Sequence, residues 1–305
     1  AHRCLENDLA VCEKMLALSG VDYDKAELKK AVKALLFCEF HDILPGSSVR
    51  AAEEDSLRLL SYGREIAEKY KTKAFFALCK GQSKAKEGEI PVLVFNPHPY
   101  KVVREVEVEF QLQDQNWNEN EVTLVRVRDK NGNYLPSQNE KEACTFSLDW
   151  RKRVCFRAEL EPMCINRFDC ELYVENYPKR KIEPCDETDT HFTFDNGTMQ
   201  ATINKQTGLI DSYKYNGKDM LTAGSAKITA AKDNEDPWGM TVDSFNEKIG
   251  EFVLLSDSEA NAFNGYPDEK IPNVRVIENG AVRTKLQAIF GCEKSFAVVT
   301  YTLPK

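Results

Sequence analysis

The sequence predicts an α-then-β chain: a three-helix bundle, then a small β-sandwich, then the opening part of a larger, truncated β-sandwich. Three observations carry this prediction. Apolar residues recur at helical spacing early in the chain, as in Leu5, Leu9, Cys12 and Leu16. The period then drops to two, with Val106, Val108 and Phe110 alternating with Glu105, Glu107 and Glu109. Finally, the polar stretches Gln82–Glu89 and Tyr177–Asp189 read as linkers, which divides the chain into residues 1–82, 83–177 and 178–305.

The first helix stops at Gly20. The second runs from about Asp24 to Phe40, with Leu28, Val32, Leu35 and Leu36 on its apolar face. Pro45 and Gly46 break the pattern. A third helix follows Ser48 and places Val49, Ala52, Leu57, Leu60, Ile66, Tyr70 and Ala74 on one side. Short connections imply antiparallel packing. Strands are then expected at Ile90–Phe95, Val106–Phe110, Val122–Arg128, Cys144–Leu148, Val154–Leu160 and Ile165–Val174, with a hairpin turn at Asp129–Asn133. Beyond the second linker, turns at Asp195–Gly197, Asn204–Gly208 and Asn216-Gly217 punctuate a β-meander. Asp233–Asp243 is acidic and irregular; strands resume at Phe252–Leu255, Val274–Ile277, Val282–Phe290 and Phe296–Leu303. The last strand leaves the sheet incomplete, so a sandwich that is cut short is expected.

With 305 residues, 41 basic and 49 acidic, the net charge is −8. That balance argues against nucleic acid and against an anionic membrane surface as partners. No apolar run is long enough to span a membrane. Ten scattered cysteines without a C-x-x-C pair suit reduced, partly buried thiols and a cytoplasmic setting. Phosphate loops, nucleophile elbows and paired-histidine zinc motifs are absent from the sequence.

Of the four histidines, His2, His98 and His191 read as exposed polar residues. His41 has a different setting, beside Asp42 in the run FHDILPGSS (Phe40–Ser48). A neutral imidazole there is a competent metal ligand. Spacing alone nevertheless favours a helix stop in which Asp42 and the serines satisfy loose backbone groups. A zinc site takes three or four protein ligands, so this pair needs partners from elsewhere. Asp195, Asp233, Asp236 and Asp243 could serve a sugar-cleaving site, and turns explain them equally well. Asp236-Pro237-Trp238 sets a carboxylate beside an indole, a pairing that suits a sugar, although burial of Trp238 is the preferred reading.

The run FHDILPGSS closely resembles the signature of glycoside hydrolase family 38, the α-mannosidases. Family members commonly carry Asn-Gln before FHD, where this chain has Cys38 and Glu39. VFNPHPY (Val94–Tyr100), DNGTMQATINKQTGLIDSYKYNGKDML (Asp195–Leu221) and IENGAVRTKLQA (Ile277–Ala288) resemble later segments of that family, in order. The resemblance implies a retaining, zinc-dependent exo-α-mannosidase acting on an α-mannoside substrate. It implies that His41 is a zinc ligand and that Asp42 lies in the sugar pocket. The family's N-terminal α/β barrel, which carries the nucleophile and the other zinc ligands, has no counterpart here. The chain is therefore expected to be a central fragment, inactive alone, with no catalytic nucleophile of its own and its own missing barrel as a partner; a homo-oligomer is compatible. Two other readings stand: a carbohydrate-binding or oligomerisation module without catalysis, and an inactive member of the family.

Overall fold

The chain was analysed as a computed structural model, which describes residues 1–142, 149–176, 185–234, 238–239 and 241–305. The expected strand at 144–148, most of the expected linker (residues 177–184) and Asp236 lie outside the described residues. Two compact units form. One holds residues 1–104 and 159–169 with Trp238 and Gly239; the other holds the rest.

The first unit opens with α1 (His2–Ser19), α2 (Lys25–Phe37) and α3 (Arg50–Leu78). Gly20 takes the left-handed conformation and ends α1, and the Asp24 carboxylate starts α2 by accepting from the Ala26 N–H at 2.8 Å. Leu5, Leu9, Cys12, Met15 and Leu16 pack against Leu28, Ala31 and Leu35 of α2 and Leu60, Ile66, Ala67, Tyr70 and Ala74 of α3. Helices α1 and α3 approach closely at Gly63, where a Cβ would meet the Leu5 Cδ2 at 2.8 Å and displace that side chain. Two expectations for helix faces need correction. Val49 and Leu57 are exposed, because the buried stripe of α3 runs through Ser56, Leu60, Gly63 and Ile66, and Leu57 is turned by about 100° from it. Leu36 is exposed for the same reason, one position off the Leu28–Ala31–Leu35 face of α2.

The fold class is borne out: helices come first and β-sheets follow. Strands β1 (Glu89–Phe95), β2 (Val102–Asn116), β3 (Glu121–Arg128), β4 (Ser137–Glu140), β5 (Asp149–Leu160) and β6 (Ile165–Asn176) form two three-stranded sheets, ordered β1-β6-β3 and β2-β5-β4. The turn after β3 closes as expected, with the Asp129 N–H bonded to the Asn133 carbonyl at 2.9 Å. Strand β4 is polar, SQNE, and has no apolar alternation to announce it.

Strands β7 (His191–Asp195), β8 (Met199–Asn204), β9 (Ile210–Tyr215) and β10 (Lys218–Asp219) make the antiparallel meander. The short pair β11 (Thr229–Ala231) and β12 (Lys248–Glu251) brackets the acidic segment. Then come β13 (Val253–Leu254), α4 (Asp257–Phe263), β14 (Val274–Asn279), β15 (Arg283–Cys292) and β16 (Ser295–Pro304), with β15 pairing to β13, β14 and β16. Phe192, Phe194, Ala201 and Ile203 of the meander pack on Val274, Leu286, Ala288, Phe290 and Leu303 of the other sheet. The Tyr301 hydroxyl donates to the Gly208 carbonyl at 2.7 Å across this core.

The β-rich unit also buries charge. Glu140 is buried, and its carboxylate accepts from Gln138 Nε2 at 2.9 Å, from Arg283 Nε and Nη2 at 2.6 Å each, and from Lys285 Nζ at 3.0 Å. Arg283 and Arg153 also bond Glu107. Burial by itself would raise the Glu140 pKa, but the hydrogen bonds from Arg283 and Lys285 overcome it and hold the group at about 2.

Candidate functional site

The FHDILPGSS run is not on a helix. Helix α2 ends at Phe37, three residues before the expected end, and its ladder tightens into successive turns. Cys38 N–H still reaches the Ala34 carbonyl at 3.2 Å, but Glu39 and Phe40 bond only three residues back, at 3.3 and 3.2 Å. Ile43 and Leu44 then both donate to the Phe40 carbonyl, at 2.9 and 3.0 Å. Pro45 has no N–H to continue the series, and Gly46 turns the chain with a φ of 82° before α3 begins.

This geometry displays His41. Its side chain is 75% exposed, its ring lies 4.2 Å from that of Phe40, and its Nε2 is 3.7 Å from Asp42 Oδ1. Asp42 is 29% exposed, yet its Oδ1 is buried and accepts no hydrogen bond. Asp42 is thus not a cap, and α3 starts from Val49 without any side-chain cap. The capping interpretation of this run is therefore replaced by a turn that leaves one carboxylate oxygen unused.

On the same turn, Glu39 Oε1 lies 3.3 Å from His2 Nε2, itself buried and without a hydrogen bond. His2 is half-buried, not an exposed polar residue; α1 carries it onto the Glu39 side of the turn. His191 also departs from expectation, since Asp211 Oδ2 lies 2.9 Å from its Nε2 and Thr190 Oγ1 2.8 Å from its Nδ1. His98 is exposed as expected and stacks on Tyr100. Asp195 behaves as a turn residue and accepts from the Gly197 N–H at 2.7 Å, while Asp233 and Asp243 are exposed.

Apolar surface surrounds the turn. Leu36, Phe37, Phe40, Leu44 and Val49 are all exposed. Beside them an open groove of about 600 Å³ is lined by Phe37, Ile43, Ala52, Leu59 and Tyr62. Trp238 also meets the turn: its indole Nε1–H donates to the Ser47 carbonyl at 2.9 Å. The expected burial of Trp238 does not occur: the residue stays 68% exposed.

The donor chemistry at the turn suits part of a zinc shell, one imidazole with an unpaired carboxylate oxygen beside it. Among the described residues no group of three or more histidine, cysteine or acidic side chains is placed to hold a metal. Among these residues His41 and Asp42 thus offer at most part of a metal shell. Burial pushes the Cys12 thiol up to about 11 and the Cys155 thiol up to about 12, which makes both of them inert. Cys4, Cys12, Cys38, Cys79, Cys155, Cys185 and Cys292 are free thiols. None of the described helices is long and apolar enough to cross a membrane.

Residues 1–78, the three helices and the turn with His41 and Asp42, match the family described as Alpha mannosidase middle domain. The likeness is to an α-mannosidase middle domain and covers those residues alone. The resemblance drawn from FHDILPGSS is thereby borne out over residues 1–78. The fold of nearly the whole chain is similar to a crystal structure of a protein in glycosyl hydrolase family 38 from Enterococcus faecalis, with a TM-score of 0.62 at 14% identity. That likeness covers 94% of this chain and 35% of the other, so the chain spans about a third of that protein's length. No curated protein matches the chain.

Proposed function

We propose that this chain is the middle and β-domain portion of a retaining, zinc-dependent α-mannosidase, and that it supplies one wall of the active site. The observation that carries the reading is the coincidence of three features in one turn of the middle domain: the exposed imidazole of His41, the unpaired Asp42 oxygen and the uncovered apolar rim. A polar atom left without a partner in a folded protein calls for a ligand, and an apolar rim calls for a covering surface. In this reading His41 is a zinc ligand and Asp42 holds substrate hydroxyls. Zinc, when bound, supplies a grip on two neighbouring sugar hydroxyls. The nucleophile and the remaining ligands come from the barrel domain of the longer polypeptide, and the free thiols suit a cytoplasmic location.

In the full-length polypeptide, His41→Ala is expected to lower turnover of an aryl α-mannoside by at least about 100-fold and to lower bound zinc, measured by metal analysis. Normal zinc content and turnover would overturn the assignment. The 305-residue chain alone is expected to give no turnover, since one imidazole and one carboxylate make neither a nucleophile nor a metal shell. One observation, the exposed indole of Trp238, favours the second reading, a carbohydrate-binding module without catalysis. Tight, metal-independent binding of mannobiose to the 305-residue chain would favour that module over the enzyme.

A further inference from the structure

We infer that Thr190 is an activated nucleophile, an acyl-acceptor site for small activated esters, with His191 as its base and Asp211 orienting that base. The inference goes beyond the mannosidase reading and does not depend on it. The chain bends through Asp189 and Thr190 into β7, so Thr190 is exposed at the rim of the meander and His191 begins the strand. Thr190 Oγ1 lies 2.8 Å from His191 Nδ1, and His191 Nε2 lies 2.9 Å from Asp211 Oδ2 on β9. Hydroxyl, imidazole and carboxylate thus stand in one relay, the arrangement that makes an alcohol reactive.

The carboxylate decides which way the relay runs. Asp211 Oδ2 also accepts from Asn204 Nδ2 at 2.8 Å, and its Oδ1 accepts from the Gly224 N–H at 3.1 Å. These bonds, that from Asn204 foremost and that from His191 next, hold the Asp211 carboxyl below its ordinary 3.8. Asp211 is therefore an anion at neutral pH and only accepts. It follows that Nε2 carries the proton of the neutral His191 ring. Nδ1 is left with a lone pair, and the Thr190 hydroxyl donates to it.

Stability does not explain the hydroxyl's place in this set. The bonds to Asp211 join β7 and β8 to β9, whereas the Thr190 hydroxyl bonds the ring next to it in sequence and ties no strand to another. Because Thr190 is exposed, reactivity rather than shape sets the donor class: an acyl group on a good leaving group, as in an aryl ester. As the bond from Thr190 Oγ1 to the acyl carbon forms, the Oγ1 proton passes to His191 Nδ1. The bond from the acyl carbon to the aryl oxygen breaks, and the aryloxide leaves with the electron pair. The imidazolium then returns its proton to water, and the product is an ester on Thr190.

The probe is para-nitrophenyl acetate, applied at neutral pH to the full-length polypeptide, with acetyl groups located by peptide mass spectrometry. Hydroxylamine treatment separates esters, which it removes, from lysine amides, which it spares. Thr190 is expected to be acetylated at least about 100-fold faster than Thr188, an exposed threonine two residues away. His191→Gln is expected to lower the Thr190 rate about 100-fold. Asp211→Asn is expected to lower it at least about tenfold, because an amide both donates and accepts and no longer fixes the tautomer. Thr190→Ser is expected to keep the ester and Thr190→Val to lose it. Equal acetylation of Thr190 and Thr188 overturns the inference. So does a Thr190 rate unchanged in a His191→Gln protein that circular dichroism shows to be folded, or acetyl found on His191 or Lys205 in place of Thr190. The comparison of Thr190 with Thr188 uses the wild type alone, so it decides the matter even where a variant fails to fold.

Discussion

In the β-rich unit the buried carboxylate of Glu140 accepts from Gln138, Arg283 and Lys285, whereas in the helical unit Asp42 keeps a buried oxygen with no donor at all. A carboxylate taken from water needs its full set of hydrogen bonds, or it costs the fold free energy. Glu140 has that set and is explained by it. Asp42 lacks it, so its position is not explained by stability. The difference marks Glu140 as structural charge and leaves Asp42 as the candidate for a functional one. It also predicts that the same kind of substitution has opposite consequences in the two units.

The largest effect is expected at Glu140. Glu140→Ala leaves the guanidinium of Arg283 and the ammonium of Lys285 without their shared buried partner. Removing one member of a buried pair costs about 3–5 kcal/mol. Urea titration followed by circular dichroism should show that loss; a change under about 1 kcal/mol would show that the cluster is solvated and would remove one side of the comparison.

Acid should produce the next largest effect. The folded-state pKa of Glu140 lies at about 2, below its ordinary 4.5, so the stability it contributes is fully present above pH 4.5 and is lost as pH falls from there toward 2. The depression corresponds to about 3 kcal/mol. Stability measured from pH 5 to pH 2 should therefore fall more steeply in the wild type than in Glu140→Gln, which has no carboxyl to titrate. Parallel slopes would place the acid sensitivity elsewhere.

Much of this was legible in the sequence, and the reasons for the misses are physical. Helices and strands with apolar periodicity were found where Leu5, Leu9 and Cys12, or Val106, Val108 and Phe110, announce them. Strand β4 was missed because SQNE buries Gln138 and Glu140 through hydrogen bonds to Val282, Arg283 and Lys285, partners more than a hundred residues away. Helix α4 was missed although Ser256 and Glu259 spell a capping box, which the structure forms. At the site, residue identity pointed to His41 and Asp42, but pattern alone mistook their turn for a capped helix end. The expected cap needs a donor near Asp42, and only coordinates reveal that none is there. Trp238 was misjudged because an aromatic ring is usually buried, and nothing local in the sequence announces that this indole stays exposed.

The smallest effect on stability, and the sharpest contrast with Glu140→Ala, is expected from Asp42→Ala. The substitution deletes a carboxylate whose Oδ1 has no hydrogen-bond partner and whose nearest basic group, His41 Nε2, is 3.7 Å away. No donor is orphaned by its removal, so the change should lie within about 0.5 kcal/mol or favour the folded state. Function is expected to move the other way. In the full-length polypeptide the variant should raise KM for an α-mannoside, because a hydroxyl that had found a charged acceptor finds none. A loss of stability like that of Glu140→Ala would mean that Asp42 is tied into the fold after all. Unchanged stability with unchanged kinetics would detach Asp42 from substrate and leave His41 alone to account for the turn. Only a stable but impaired variant matches an acid held at the cost of stability for a ligand that the unit by itself does not contain.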